Sequence, residues 1–322
     1  MSNAWKTKDI SLPYWIGEIC LFRKLFTVST LNIDFINHKS QSLNTIIPKL
    51  IKEHENVGPE SNAKKLEFGF LLYSIPIKEG HKDFWIEDNQ IKYVVKTYNR
   101  YYVNIKGSFD EYIKGFSSKT RSTLKRKINK FEKISGGTID WRTYSTPTEM
   151  AEFHKVARQI SKETYQEKHL NVGLPDDEEF KADMIERAKS NTVNGYLLYL
   201  DGKAISYLYS PIDQGRFIYA YLGYLPETSK LSPGTVLFLK ALEQIFDSGR
   251  GKIFDFTEGE SEQKKMFSTN HVYCGNLLCL ENTPANYFWL MLNKVTNRLS
   301  KYLGDFFDKL GLKKTIRKLL RH

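Results

Sequence analysis

The chain reads as an α/β (α+β) protein, a mixed central sheet flanked by helices, and three observations predict this. From Ser108 onward, stretches at helical spacing alternate with short apolar or β-branched runs of strand type. Within them, "GYLLYLDGKAISYLYSPIDQGRFIYAYLGYL" sets Asp201-Gly202 and Gln214-Gly215 between apolar runs, a hairpin signal that makes part of the sheet antiparallel. The 322 residues are 41% hydrophobic and 14% aromatic, enough to bury one large or two medium cores.

The first hundred residues predict extended segments around one helix. "WIGEICLF", "FTVSTLNIDFI", "LEFGFLLYSIP" and "IKYVVKTYNRYYVNI" carry strand character, "SLNTIIPKLIKEH" is short and amphipathic, and "VGPESNAKK" is a turn cluster. From Ser108 a helix is expected, because Ile113, Phe116, Thr120, Leu124, Ile128, Phe131 and Ile134 recur at spacings of three and four. Seven Lys and Arg residues against one Glu crowd Lys119 to Lys133, and the apolar stripe directs most of these charges outward. Lys119, Arg121, Lys125 and Arg126 are then either solvated or aligned with the approach of an anionic ligand. "SGG" ends the helix.

Next come a strand at "TIDWRTY", a helix from about Pro147 to Lys168, the loop "NVGLPDDEEF", a helix through Lys189, and the meander quoted above. In "SPGTVLFLKALEQIFDSG", Ser232 is suited to cap a helix and Pro233 to its first turn. "KIFDF" is a short buried strand, "ESEQKKMF" a short helix, "HVYCGNLLCLE" a strand, and residues 282–322 are mostly helical. No internal repeat of solenoid period is present.

A net charge of +11 favours an anionic partner: nucleic acid, a phosphorylated cofactor, an anionic glycan or a membrane surface. Cys20, Cys274 and Cys279 form no CxxC pair and are odd in number, which argues against a disulfide framework and a structural zinc site and for a reducing cytoplasm. "MSNAWKTKDISLPYW" lacks a signal-peptide core, and no window reaches the roughly 18–20 apolar residues of a membrane span. The C-terminal "RLSKYLGDFFDKLGLKKTIRKLLRH" sets Leu303, Phe306, Phe307, Leu310 and Leu312 beside a basic end. That pattern suits a terminal helix packed on its own domain, or an interfacial anchor for peripheral membrane contact.

A helix start offers amides and a favourable dipole to phosphate, and Gly234 permits close approach of a ligand; a good helix start of purely local meaning reads the same way. Glu258 and Glu260 follow the "KIFDF" strand, where a base could stand, and capping or solvation explains the same residues.

Taken in order, "FSSKTRSTLKRKINKFEK", "ISKETYQEKHL", "YLGYLPETSKLSPGTVLFLKAL" and "FDFTEGESEQKKMF" resemble the GNAT acyltransferase superfamily, in its CelD-type, BioF2-like branch related to the FemABX peptidyltransferases. The resemblance covers about residues 108–282. It implies a GNAT-like mixed sheet and two lobes, the first degenerate: 1–107, a GNAT acyltransferase domain at 108–284, and a basic amphipathic segment at 285–322. It also implies acyl transfer from acetyl-CoA or another acyl-CoA to an amine or hydroxyl, with no metal.

Under the resemblance, Tyr221 and Gly223 lie on the strand that holds the donor's arm, while Lys230, Ser232, Gly234 and Thr235 receive its phosphates. Glu258 and Glu260 are placed as base and Lys264 as stabiliser of developing negative charge, with a proton for the leaving thiolate coming from Lys264, Tyr221, Tyr224 or water. His154, Tyr165, Gln166 and Asp255 are expected to bind the acceptor or orient its neighbours. Two words depart from the family: the Arg/Gln-x-x-Gly-x-Gly/Ala phosphate word survives only as Lys230 and Gly234, and Gln263 replaces the Tyr of its Tyr-Lys pair.

The branch's usual setting implies a cytoplasmic enzyme acting on a sugar nucleotide, lipid-linked sugar or other cell-envelope or exopolysaccharide precursor. Alternatives are an aminoacyl-tRNA-dependent transferase of FemABX type and an inactive GNAT-like scaffold. A DNA partner is not expected: the basic stretch carries no groove-reading motif.

Overall fold

The computed structural model describes residues 6–16, 19–32, 69–78, 80–164, 167–168 and 173–309. The chain divides into two compact units, residues 1–99 with 272–322, and residues 100–271. These boundaries differ from the turn signals near residues 107 and 284. Each falls inside a continuous strand, where neither composition nor turn chemistry marks it.

The first unit opens with β1 (Lys6–Ile16) and β2 (Ile19–Asn32), antiparallel with Ile10 opposite Phe26 and an irregularity between Tyr14 and Trp15. β1 starts well before the expected "WIGEICLF". Ile10 and Leu12 are buried but alternate with Asp9, Ser11 and Pro13, so no apolar run announces the strand. β2 pairs in parallel with β3 (Phe70–Pro76), which requires a crossover. The helix expected at "SLNTIIPKLIKEH" falls in that crossover, outside the described residues. β4 (Phe84–Glu87) and β5 (Gln90–Asn104) form a hairpin whose turn residues, Asp88 and Asn89, have φ of 50° and 56°.

In the second unit β5 is followed in the sheet by β11 (Ile253–Asp255), β9 (Arg216–Ile218), β8 (Lys203–Asp213), β7 (Val193–Leu200) and β6 (Trp141–Tyr144), with β10 (Tyr221–Tyr224) on β8. Where one helix was expected, two form: α1 (Phe109–Lys114), closed by a Ser108/Glu111 capping box, and α2 (Ser118–Ile134), capped by Ser117. The Ser117 hydroxyl accepts the Thr120 amide and starts a new helix, while Arg121 donates to the Lys114 and Phe116 carbonyls and ties the two together. Arg121 is therefore a brace at the junction. The apolar stripe is legible in the packing: Leu124 and Phe131 are buried and Phe116 and Ile128 lie against the same core, although Ile134 is exposed.

β6 (Trp141–Tyr144), α3 (Pro147–Glu163) and α4 (Glu178–Lys189) follow, α3 ending five residues short of the expected Lys168. β7 (Val193–Leu200) and β8 (Lys203–Asp213) turn at Asp201 and Gly202, both at positive φ as a tight hairpin demands, and Gln214 and Gly215 lead likewise into β9 (Arg216–Ile218). Then come β10 (Tyr221–Tyr224), a 3₁₀ turn at Pro226–Leu231, α5 (Pro233–Ser248), β11 (Ile253–Asp255) and α6 (Glu262–Phe267). Phe153, Tyr196, Phe217, Phe238 and Phe254 are fully buried in the core of this unit.

The chain returns to the first unit with β12 (Asn270–Glu281), antiparallel to β3, and α7 (Pro284–Lys309). Leu278 and Leu280 join Ile10, Leu12, Phe26, Val28 and Leu290 of α7 in one cluster, while Leu277 and Cys279 join another, as the period of a strand requires. Among the described residues no helix is long and apolar enough to cross a membrane, and no cluster of candidate metal ligands occurs.

Candidate active site

The site begins at a break in one strand. β9 pairs in parallel with β11, Ile218 opposite Asp255, and the Tyr219 amide donates to the Asp255 carbonyl at 2.9 Å. Ala220 then donates to Tyr209 instead, and β10 pairs with β8 while β11 has ended. Past Tyr219 the two strands part, and a small cavity of about 50 Å³ opens between α5 and α6, lined by Tyr219, Phe238, Phe256, Ser261, Gln263, Lys264 and Phe267.

Tyr219 is the residue that reading the sequence missed, because "FIYAYLGYL" looks like one uninterrupted strand. Its ring packs among Phe238, Phe254 and Phe256 at centroid distances of 5.7–6.1 Å. No described residue hydrogen-bonds its hydroxyl. Burial raises its pKa well above the usual phenol range, so it stays protonated at neutral pH.

The loop after β11 is held in an uncommon shape. Thr257, a β-branched residue, has φ of 62° and Gly259 has φ of 98°, and left-handed backbone at a non-glycine of this type costs on the order of 1–3 kcal/mol. Four bonds maintain it. Asp255 accepts the Thr257 amide at 2.8 Å and is clamped by Arg100 of β5 through Nε at 3.1 Å and Nη2 at 2.6 Å. Lys264 donates from Nζ to the Glu258 carbonyl at 2.7 Å. Asp255, expected to bind the acceptor or orient a neighbour, is fully buried with both oxygens engaged, which makes it the loop's anchor. Glu258 is half-buried and Glu260 exposed.

At the start of α5, Ser232 is the residue before the first turn, but in left-handed conformation with φ of 55°, and its hydroxyl caps nothing. The Thr235 and Val236 amides donate back to the Ser232 carbonyl. Gly234 is buried beneath β10: a β-carbon there would lie 3.0 Å from Leu222 and 3.3 Å from the Tyr224 ring. From α2, Lys130 donates to the Lys230 carbonyl at 3.0 Å and Lys127 reaches the Thr235 hydroxyl at 3.5 Å. The sequence pointed to Lys119, Arg121, Lys125 and Arg126. Helical phase instead lets Lys127, which is half-buried, and Lys130, which is exposed like Lys125 and Arg126, reach the start of α5 and the turn before it.

Beyond the other face of β10 lie α3 and α4. The Tyr221 ring meets Phe180 edge-on at 6.0 Å. A β-carbon on Gly223 would meet the Tyr207 ring at 2.5 Å and Thr164 at 2.9 Å, so this glycine lets the end of α3 close on the strand. Tyr165 and Gln166 lie outside the described residues. His154, expected to bind acceptor, is buried and donates from Nε2 to the Pro175 carbonyl at 2.8 Å, which is the behaviour of a satisfied core histidine.

Glu167 accepts from Arg158 and from the Ser161 hydroxyl, and the Arg158 guanidinium above all holds its carboxyl below the usual carboxylate range. Its stabilising effect is therefore present at neutral pH and is lost as pH falls through that lowered value. Glu167→Gln is expected to cost about 1.5–3 kcal/mol at neutral pH. In unfolding midpoints measured against pH, the gap to wild type should close in acid; a gap unchanged down to the acid limit would exclude the pair as its source.

Residues 118–265 match the family model of the acetyltransferase (GNAT) domain. Among solved structures, FemX is similar over 89% of this chain and 90% of its own, with a TM-score of 0.51 and 12% identity, a likeness of fold. L-PGS from Bacillus licheniformis gives a TM-score of 0.47 and 14% identity over 86% of each chain. The ribosomal-protein-S18-alanine N-acetyltransferase from Escherichia coli covers 45% of this chain and 95% of its own, with a TM-score of 0.30 and 10% identity. No curated protein matches the sequence. The parted strands and the helix start beside them lie within residues 118–265, the stretch that matches the GNAT acetyltransferase model.

Proposed function

We propose that the protein is an acyltransferase that moves an acyl group from acyl-CoA to an amine or hydroxyl of a cell-envelope or exopolysaccharide precursor such as a sugar nucleotide or lipid-linked sugar, at the inner face of the cytoplasmic membrane. The observation that carries the reaction class is the parting of the chain past Tyr219 from β11, with Tyr219 and Lys264 lining the same cavity and two carboxylates on the strained loop beside it. In this reading the acceptor's nitrogen or oxygen attacks the acyl carbonyl, Glu258 or Glu260 takes its proton directly or through water, and the C–S bond breaks as the thiolate receives a proton from Tyr219. Lys264 fixes the loop and adds positive charge near the developing oxyanion.

Lys127 and Lys130 over the start of α5 support a phosphate-bearing donor. Removing both as Lys127→Ala/Lys130→Ala is expected to raise KM for acyl-CoA about tenfold with kcat unchanged, the mark of an interaction kept from ground state to transition state. Titration calorimetry with acetyl-CoA and longer acyl-CoAs tests the donor, and absence of binding to all of them overturns it.

A second reading, transfer from a charged tRNA, is favoured by one observation. The slot between α5 and α6 is far smaller than the roughly 300–1,000 Å³ of ordinary ligand pockets, and Leu222 and Tyr224 cover Gly234. A donor that presents its ester at the parted strands without threading the slot needs less opening. Salt-sensitive tRNA binding together with no acyl-CoA binding would reverse the order. Equal background turnover by wild type and Lys264→Ala would instead mark an inert scaffold.

A further inference from the structure

We propose that α7 is a docking surface for an anionic lipid bilayer, a role independent of the donor and acceptor named above. Phe288, Val295, Leu299, Tyr302 and Phe306 are each between 44% and 65% exposed. Their spacings of seven, four, three and four set them in one row along the helix. Contiguous exposed apolar surface of this kind is uncommon on a protein that has no partner for it.

The row differs from the apolar side expected in the sequence. Leu303 turns partly inward, and Phe307, Leu310 and Leu312 have no described side-chain environment. The inward side of α7 is already used. Leu290 is fully buried, and Asn293 accepts from Tyr93 at 2.9 Å and donates to the Pro13 carbonyl at 2.8 Å. The exposed row is thus not a core face awaiting its own domain.

Beside it runs a second row, Lys294, Arg298 and Lys301, again at spacings of four and three. Among the described residues no carboxylate lies within ion-pair distance of these three; Lys294 instead stands 5.5 Å over the Phe84 ring. With Tyr93, Val95, Asn297 and Tyr302 they line a groove of about 630 Å³ between α7 and β5, with Asp83 its acidic member. Asp83 faces His81 at 3.5 Å. From residue 284 to 304 the helix contains no Asp or Glu.

An apolar row with a row of cations on its flank is the pattern of a helix lying in a membrane interface, apolar side chains among the acyl chains and cations at the lipid phosphates. A free anion would use the cations and leave Val295 and Leu299 without purpose. A second copy would use the apolar row, but a two-fold contact sets the same patch against itself and brings cation toward cation. The bilayer satisfies both rows at once.

The test is co-sedimentation of the full chain with vesicles of equal parts phosphatidylglycerol and phosphatidylcholine, and with phosphatidylcholine alone. Binding to the first and not the second is expected, weakening with salt. Lys294→Gln/Arg298→Gln/Lys301→Gln should lower partitioning on the order of 100-fold. Val295→Ser/Leu299→Ser/Tyr302→Ser should abolish it, and the unfolding midpoints of both variants should stay near wild type because every altered side chain is at the surface or on the groove. Absence of wild-type binding to the anionic vesicles overturns the proposal, as does a dimer in solution that the serine variant splits while vesicle binding is absent. Equal binding by wild type and glutamine variant also overturns it.

Discussion

Asp255→Ala is expected to cost about 3–5 kcal/mol of stability and to remove acyl transfer with it. The carboxylate is fully buried and meets Arg100 through two nitrogens and Thr257 through its amide. Deleting it takes a two-nitrogen carboxylate contact from the Arg100 guanidinium, only 11% exposed, and leaves Thr257 in a left-handed conformation that its own chemistry disfavours. The second consequence reaches the site, because the loop that presents Glu258 and Glu260 relaxes. Replacing both partners, as in Arg100→Met/Asp255→Leu, should recover much of the stability, since an apolar pair strands no charge, yet should not recover activity. Urea unfolding of the two single variants and the double variant measures the coupling. Additive losses, or a loss below about 1 kcal/mol in Asp255→Ala, would show that the pair anchors nothing.

Arg100 also shows where reading the sequence stops. Its partner is 155 positions away and sits in a strand whose only visible property is apolarity, so nothing local connects them. Features governed by neighbouring residues were legible. Asp201-Gly202 and Gln214-Gly215 turn where expected because positive φ selects those residues. The stripe through Leu124 and Phe131 packs as its spacing requires. Ser232 was legible as the start of α5, but whether its hydroxyl caps the helix depends on a backbone angle that the preceding 3₁₀ turn sets.

Gly234 stands in the first turn of α5, where its meaning in the sequence is ambiguous. A glycine at a helix start serves a phosphate or a packed strand equally well, and here Leu222 and Tyr224 occupy the space. Lys127 and Lys130 were hidden in a crowd of like charges, where only the packing of α2 on α5 selects which cations reach its start. The GNAT words in their order fall on the stretch that matches the family model. They could not reveal that the strand through Tyr219 breaks, since a change of pairing partner leaves apolar character intact.

Tyr219→Phe is expected to lower kcat about 100-fold, within the usual range for a positioned proton donor, with little change in unfolding free energy. The two halves of this expectation have separate causes. The hydroxyl bonds to no described residue, so its removal leaves no buried partner unsatisfied, and the ring keeps its contacts with Phe238, Phe254 and Phe256. Under the proposed reaction, catalysis loses a neutral O–H donor on the tyrosine that, among the described residues, lines the cavity between α5 and α6, since Tyr221 packs on Phe180 and Tyr224 covers the start of α5. Because burial raises the Tyr219 pKa, the donor stays protonated through neutral and mildly alkaline pH, and no alkaline fall in kcat should trace to it there. A donor with a better leaving group needs the proton less, so an activated aryl thioester should narrow the gap between wild type and variant. Equal deficits with poor and good leaving groups would remove Tyr219 from the proton-donor role, and an undiminished kcat would remove it from the reaction.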